Sequence, residues 1–204
     1  SQIRDQMIAN QSLAEKIRGF VTERLMSLAI NDTPIPLDHT TKLVLHLVPV
    51  DAFTQNKHVQ LINDFEPLMC LGLPSSGKRY NYRYNLDGVL TYHKSFGSYT
   101  QLYRNGIVEA VTTYYLGHTE KIISSYILLD MLERKLGNYL SLYKKMNIEC
   151  PIYGFISFQG VKGFLIKDEE FVIIDEEIGY VGPDPNVNPR PFKRDAFQLP
   201  EMII

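Results

Sequence analysis

The stretch Arg79–Gly117, RYNYRYNLDGVLTYHKSFGSYTQLYRNGIVEAVTTYYLG, constrains the fold more than any other part of this chain. Two turn signals divide it, Asn85-Leu86-Asp87-Gly88 and Arg104-Asn105-Gly106. Asp-Gly and Asn-Gly supply the backbone conformations that tight turns demand, so such pairs between alternating runs mark β-hairpins. The segment therefore predicts two hairpins in succession. Its first strand, Arg79–Asn85, has strict period two, with Tyr80, Tyr82 and Tyr84 on one face and Arg79, Asn81, Arg83 and Asn85 on the other. Val89–His93 is the return strand, and Tyr99–Tyr103 pairs with Ile107–Tyr115. The tyrosine face is expected to be core or interface.

The flanking segments supply the other layers. Ser12-Leu13-Ala14-Glu15 reads as a capping box, and behind it Leu13, Ile17, Phe20, Val21, Leu25 and Leu28 recur at helical spacing until Asn31-Asp32-Thr33-Pro34. Lys42–Val48, KLVLHLV, is a short apolar run closed by Pro49 and predicts a central strand buried on both faces. Val59–Leu68 is weakly patterned, with room for a helical turn or two. Ile122 and Ile123 extend a further strand. A second long helix is expected from Ser124 or Ser125 to about Met146, with a stripe of Leu128, Leu129, Leu132, Leu136, Tyr139, Leu140 and Tyr143. Ile152–Gln159 and Val161–Ile166 read as strands around Gly160, and Phe171–Ile174 as another. The fold class is therefore α+β, a largely antiparallel sheet built from hairpins and packed against two long amphipathic helices.

Composition bounds the function. With 204 residues, one domain with tails is expected. A net charge of −2 offers no global basic field for nucleic acid, though a local patch would still serve. Cys70 and Cys150 match no metal spacing and are read as two buried free thiols rather than a disulfide. No apolar run approaches the roughly 18–20 residues that span a bilayer, and no secretory signal opens the chain. The start, Ser1-Gln2-Ile3-Arg4, reads as a processed start or a piece of a longer protein.

Motifs that would carry chemistry fail on inspection. Gly72-Leu73-Pro74-Ser75-Ser76-Gly77-Lys78-Arg79 matches a phosphate-binding loop up to its lysine, but Arg79 stands where a Ser or Thr would hold magnesium. A surface loop is the better reading. The runs Asp168-Glu169-Glu170 and Asp175-Glu176-Glu177 would suit a divalent metal, as in a metal-dependent nuclease, yet consecutive side chains diverge, and solvated turn charge is favoured. His39, His46, His58, His93 and His118 show no ligand spacing, and His46 is read as a neutral, hydrogen-bonded core residue. What remains is the basic–aromatic mixture of the hairpins: Lys78, Arg79, Arg83, Lys94 and Arg104 among six tyrosines. Tyrosines stack bases and arginines contact phosphate. The same residues serve equally as structural strand formers, with Arg83 pairing a carboxylate such as Asp87, or as an interface.

Several runs carry a family likeness. Arg83–Leu90, RYNLDGVL, and Gln101–Ala110, QLYRNGIVEA, resemble paired motifs of a group of bacterial proteins. Leu43–Pro49, the helix around Lys16–Phe20 and Arg24-Leu25, and the closing Arg194–Glu201 resemble the same group. Those proteins carry an N-terminal Schlafen/Alba-type domain assigned to DNA binding, and this chain is similar to the region that follows it. The resemblance implies a bacterial cytoplasmic protein and a missing N-terminal domain to which residues 1–11 lead. Residues 12–181 would then form one α+β domain, and 182–204 an extended Pro-rich tail. The expected function is a non-catalytic accessory domain for assembly or for sensing a partner or ligand. Direct nucleic-acid binding by the hairpin face and metal-dependent nuclease activity are the alternatives. Its expected partners are the N-terminal Schlafen-like domain, a second copy of the chain, and nucleic acid through the full-length protein, with no membrane and no cofactor. Arg79, Arg83, Asn85, Asp87, Arg104 and Asn105 are the candidate binding residues.

Overall fold

A computed structural model describes residues 2–37, 39–54, 59, 80–114, 116, 121–167, 171–174 and 178–181. The chain order is α1 (Gln2–Ala29), β1 (Lys42–Pro49), a single turn α2 (Asp51–Thr54), β2 (Asn81–Tyr84), β3 (Gly88–His93), β4 (Ser98–Tyr103), β5 (Val108–Thr112), β6 (Ile122–Ser124), α3 (Ser125–Lys145), β7 (Ile152–Gln159), β8 (Phe164–Lys167), β9 (Phe171–Ile174) and β10 (Ile178–Val181). Among the described residues seven strands form one sheet in the order β10-β7-β1-β5-β4-β3-β2, and every pair in it is antiparallel. A second sheet, β6-β8-β9, combines a parallel pair with an antiparallel one. The α+β class and the large antiparallel sheet are as the sequence predicts.

The tandem hairpins form as β2–β3 and β4–β5, and β3 also pairs with β4, so the four strands make a continuous meander. In the first turn the amides of Asn85 and Gly88 bond each other's carbonyls, at 3.0 and 3.3 Å. The second is a three-residue loop: the Tyr103 amide donates to the Ile107 carbonyl at 2.8 Å, and Gly106 takes φ +90°. That backbone region is open to glycine at little cost, which explains the Asn-Gly signal.

β1 is buried along its whole length between β7 and β5, as its apolar run predicts. Alternation sends Val44 and Val48 to one face, where Ile17, Val21, Leu25 and Leu28 of α1 meet them together with Leu90, Tyr99, Val111 and Phe155. Leu43, Leu45 and Leu47 go to the other face, with Leu102, Val108, Ala110 and Leu128, Tyr139 and Tyr143 of α3. Both helices close on an asparagine in left-handed conformation, Asn31 at φ 58° and Asn147 at φ 53°. The amides of Asp32 and Ile148 reach back to the Ser27 and Tyr143 carbonyls, the pairing that satisfies a helix C-terminus.

Four expectations need correction. α1 does not start at Ser12 but runs continuously from Gln2, because residues 2–11 hold no Pro or Gly and extending an existing helix is easier than starting one. Leu129 of α3 is 54% exposed, off the buried stripe. The strand after Gly160 begins at Phe164 rather than Val161. Both edges of β7 are already taken by β1 and β10, so β8 joins the second sheet. Cys150 is free, as expected, but exposed rather than buried. Val59–Leu68, apart from Val59, together with Cys70 and the loop Gly72–Arg79, lies outside the described residues, as do His58, His118 and the tail from residue 182. No described helix is long and apolar enough to cross a membrane.

Two exposed helical glycines, Gly19 of α1 and Gly137 of α3, have open space where a Cβ would sit. Alanine loses less backbone entropy on folding and propagates helix better by about 0.5–1 kcal/mol per site. Gly19→Ala and Gly137→Ala should each raise the thermal midpoint, and together they should add, since they lie on different helices. A calorimetric scan showing a fall for either would contradict the helix placement.

Candidate functional site

Two groupings deserve the name of a site, one buried and one exposed. The buried one begins with Glu109 in the middle of β5, on the face covered by α1. It lies opposite His46 of β1 and is fully buried. Arg24 projects from α1 between Val21 and Leu25, within the helix's buried stripe, and forks onto the carboxylate: Nε donates to Oε2 at 2.9 Å and Nη2 to Oε1 at 3.0 Å. The Tyr99 hydroxyl donates to Oε1 at 2.8 Å, and His46 Nε2 lies 3.0 Å from Oε2. An ionised carboxylate only accepts, so Nε2 carries the ring proton. The His46 ring meets Phe20 edge-on at 6.1 Å between centroids.

The electrostatics follow from this geometry. Burial alone drives the Glu109 carboxyl upward, but the hydrogen bonds from His46 and Arg24, and then the electrostatic attraction of both, outweigh it and bring it down to about 2. The hydrogen bond to Glu109 pushes the Arg24 guanidinium further up. Burial, and then the nearby Glu109 charge, raises Tyr99 well above its ordinary value, so it stays a donor. Two of the three groups that face the carboxylate, Arg24 and Tyr99, are permanent donors, and both its oxygens are doubly engaged. The cluster is a fastener between α1 and three strands. On the same sheet face Lys42 is buried with Nζ 3.3 Å from the Thr40 carbonyl, and burial lowers its pKa.

The exposed grouping is β2, the terminal strand of the large sheet among the described residues, with all four of its residues exposed. Tyr82 and Tyr84 are 57% and 51% exposed, and Leu86 at the hairpin tip is 92% exposed. The tyrosine face is expected to be core or interface, and the exposure of Tyr82 and Tyr84 removes the first of these for both residues. A strand of identical pattern would bury it in mid-sheet, but β2 lies at the edge. Because Asn85 and Gly88 form a hydrogen-bonded pair, antiparallel alternation gives Arg83–Leu90 and Asn81–Tyr92 the next bonds to β3. The amides and carbonyls of Tyr82 and Tyr84 therefore point away from β3, to the outside of the sheet.

The candidate binding residues are largely occupied in building the hairpins. Arg83 donates through Nη2 to the Pro34 carbonyl at 2.8 Å and lies over the Tyr92 ring, rather than pairing Asp87. Asn85 accepts the Gly88 amide at 2.7 Å and donates to Gln101 at 2.8 Å. The Asp87 carbonyl takes the Arg104 amide at 2.8 Å. Arg104 Nε donates to the Leu86 carbonyl at 2.8 Å, stitching one hairpin tip to the other. Asn105 Oδ1 accepts the Ile107 amide at 3.3 Å. Arg79 and the acidic runs Asp168–Glu170 and Asp175–Glu177 lie outside the described residues. Among the described residues no group of three or more His, Cys, Asp or Glu is placed to hold a metal ion.

Sequence reasoning found His46 as a hydrogen-bonded core residue but missed Arg24, Tyr99 and Glu109. One signal was present: Glu109 interrupts the apolar run Ile107–Val111, as His46 interrupts β1. Two polar residues buried in neighbouring strands need each other. Comparison with family models, with curated proteins and with solved structures finds no match to this chain.

Proposed function

We propose that the chain is a non-catalytic accessory domain that mediates assembly through the outer edge of β2. The setting is the one its sequence resemblance implies, a bacterial cytoplasmic protein with a Schlafen/Alba-type domain. Two amphipathic helices would brace the sheet from opposite faces and leave its terminal strand to make contact. The observation that carries this reading is the edge itself: a terminal strand whose two outward-bonding residues, Tyr82 and Tyr84, also expose their rings. An extended segment added to such an edge gains backbone hydrogen bonds, and tyrosine adds contact area at low entropic cost. The non-catalytic part is supported by the buried cluster, whose titratable groups are turned on each other in the core. Against nucleic acid as the direct partner stand the near-neutral charge and the use of Arg83 and Arg104 on backbone carbonyls.

Photo-crosslinking in the producing cell tests the reading. A benzophenone amino acid placed at Tyr82 or Tyr84 should yield a discrete polypeptide adduct, while the same group at exposed Lys144 on α3 should not. An adduct to nucleic acid alone, or no adduct at either tyrosine, would overturn it.

A further inference from the structure

Resting on the β2-edge reading, we infer that the partner is a second copy of this chain, joined β2 to β2 about a twofold axis through Tyr82 and perpendicular to the sheet. Isologous contact requires a self-complementary strand. Tyr80-Asn81-Tyr82-Arg83-Tyr84 has that property: reversed about Tyr82, aromatic meets aromatic and amide meets guanidinium.

The register follows from the backbone. Tyr82 presents its amide and carbonyl outward, so Tyr82 and its counterpart can exchange both bonds as a hydrogen-bonded antiparallel pair. Asn81 then lies opposite Arg83 of the second copy, and Tyr84 opposite Tyr80. Because paired residues share a face, each face of one sheet continues into the same face of the other. The rings of Tyr82 and Tyr84 join across the seam on one face; on the other, Asn81 comes to lie beside Arg83, whose Nη2 keeps its bond to the Pro34 carbonyl while its other N–H groups face the seam. The competing register about Arg83 sets the two arginines directly opposite at the closest cross-strand spacing, which like charge disfavours. A net charge of −2 leaves little long-range repulsion between copies. Four edge residues bury less than a standard interface, so association is weak and belongs in roughly the micromolar range or above.

Sedimentation velocity on the 204-residue chain, from roughly 1 µM to 500 µM, reads the outcome. The sedimentation coefficient should move from monomer to dimer across that range. Tyr82→Pro removes an outward amide that β3 does not use, so it should raise the dissociation constant about tenfold or more with an unchanged circular dichroism spectrum. Asn81→Arg should weaken the dimer similarly by facing Arg83 of the second copy. Asn81→Asp should tighten it several-fold at low salt and lose that gain at high salt. Opposite responses to the two Asn81 substitutions require this register. A chain monomeric throughout, or a dimer indifferent to all three changes, overturns self-pairing. If that monomer still gives a heterologous polypeptide adduct at Tyr82 in the cell, the assembly reading survives and only the identity of the partner falls.

Discussion

Glu109→Gln should lower the stability of the fold by about 3–5 kcal/mol, the cost of breaking a buried ion pair from one side. The substitution keeps size and shape, so packing does not explain the loss. Its amide offers one acceptor and two donors where the carboxylate offered two acceptors. Three donors converge there: the Arg24 fork, the Tyr99 hydroxyl and the His46 ring. His46 can exchange its ring proton and accept from the new amide. Arg24 Nε shares the same oxygen position and cannot, so one N–H is left facing another. For a chain of this size the loss corresponds to a thermal midpoint roughly 10 °C lower. Arg24→Met should also be costly, because Glu109 keeps only His46 and Tyr99. The double variant Arg24→Met with Glu109→Met should cost less than the two singles added, since well-packed apolar groups replace a buried pair at little penalty. Additive costs would show that the two residues act independently.

The same carboxylate sets the acid limb of stability. Its folded pKa of about 2 lies below the ordinary 4.5, so the unfolded chain binds its proton first as pH falls. The contribution is complete above pH 4.5 and disappears between there and about 2. Its size is about 3 kcal/mol for a shift of this extent. The gap between wild type and Glu109→Gln should therefore narrow through that window in urea titrations at fixed pH. A constant gap down to pH 2 would mean that the carboxylate is not held by charge.

What was legible in the sequence was local. Gly88 and Gly106 announce their turns because their positive φ favours glycine, and Asn85 and Asn105 because their side-chain oxygens take the nearby Gly88 and Ile107 amides, whatever surrounds them. β1 announces itself because KLVLHLVP can only be buried. The α1 stripe from Leu13 to Leu28 reads correctly, whereas the capping signal at Ser12 was overruled by the helix already running through it. The Arg24–Glu109 fastener joins residues 85 apart, and its assembly depends on strand order and register, which no short window contains. Strand order also decided the fate of the tyrosines. Period two placed Tyr82 and Tyr84 on a common face, but only the position of β2 at the end of the sheet exposes that face. Arg83, Asn85, Arg104 and Asn105 depend on context in the same way. Arginine and asparagine beside turns are as useful to the chain's own carbonyls and amides as to a ligand.

Gly88→Ala should be nearly as damaging as loss of Glu109, at about 3 kcal/mol, and for a purely steric reason. Gly88 opens β3 opposite Tyr103 of β4 and takes φ +152°. A Cβ there would overlap the Leu102 carbonyl oxygen and crowd the Tyr103 Cα at 3.2 Å. Both are backbone atoms of a strand held on its far side by β5, so neither can swing aside as a side chain would. Relief requires β3 to separate from β4 at its first pair. That separation also strains the tie from the Arg104 amide to the Asp87 carbonyl and loosens the tip that carries Leu86. Leu86→Asn, two residues away in the same turn, removes a side chain that is 92% exposed and should change stability by less than about 0.5 kcal/mol. Thermal unfolding of the two variants separates a turn specified by its backbone from one held by its side chains. The hairpin geometry predicts a drop of roughly 6–12 °C for the first and almost none for the second. Equal effects would show that the glycine is not where the meander is specified.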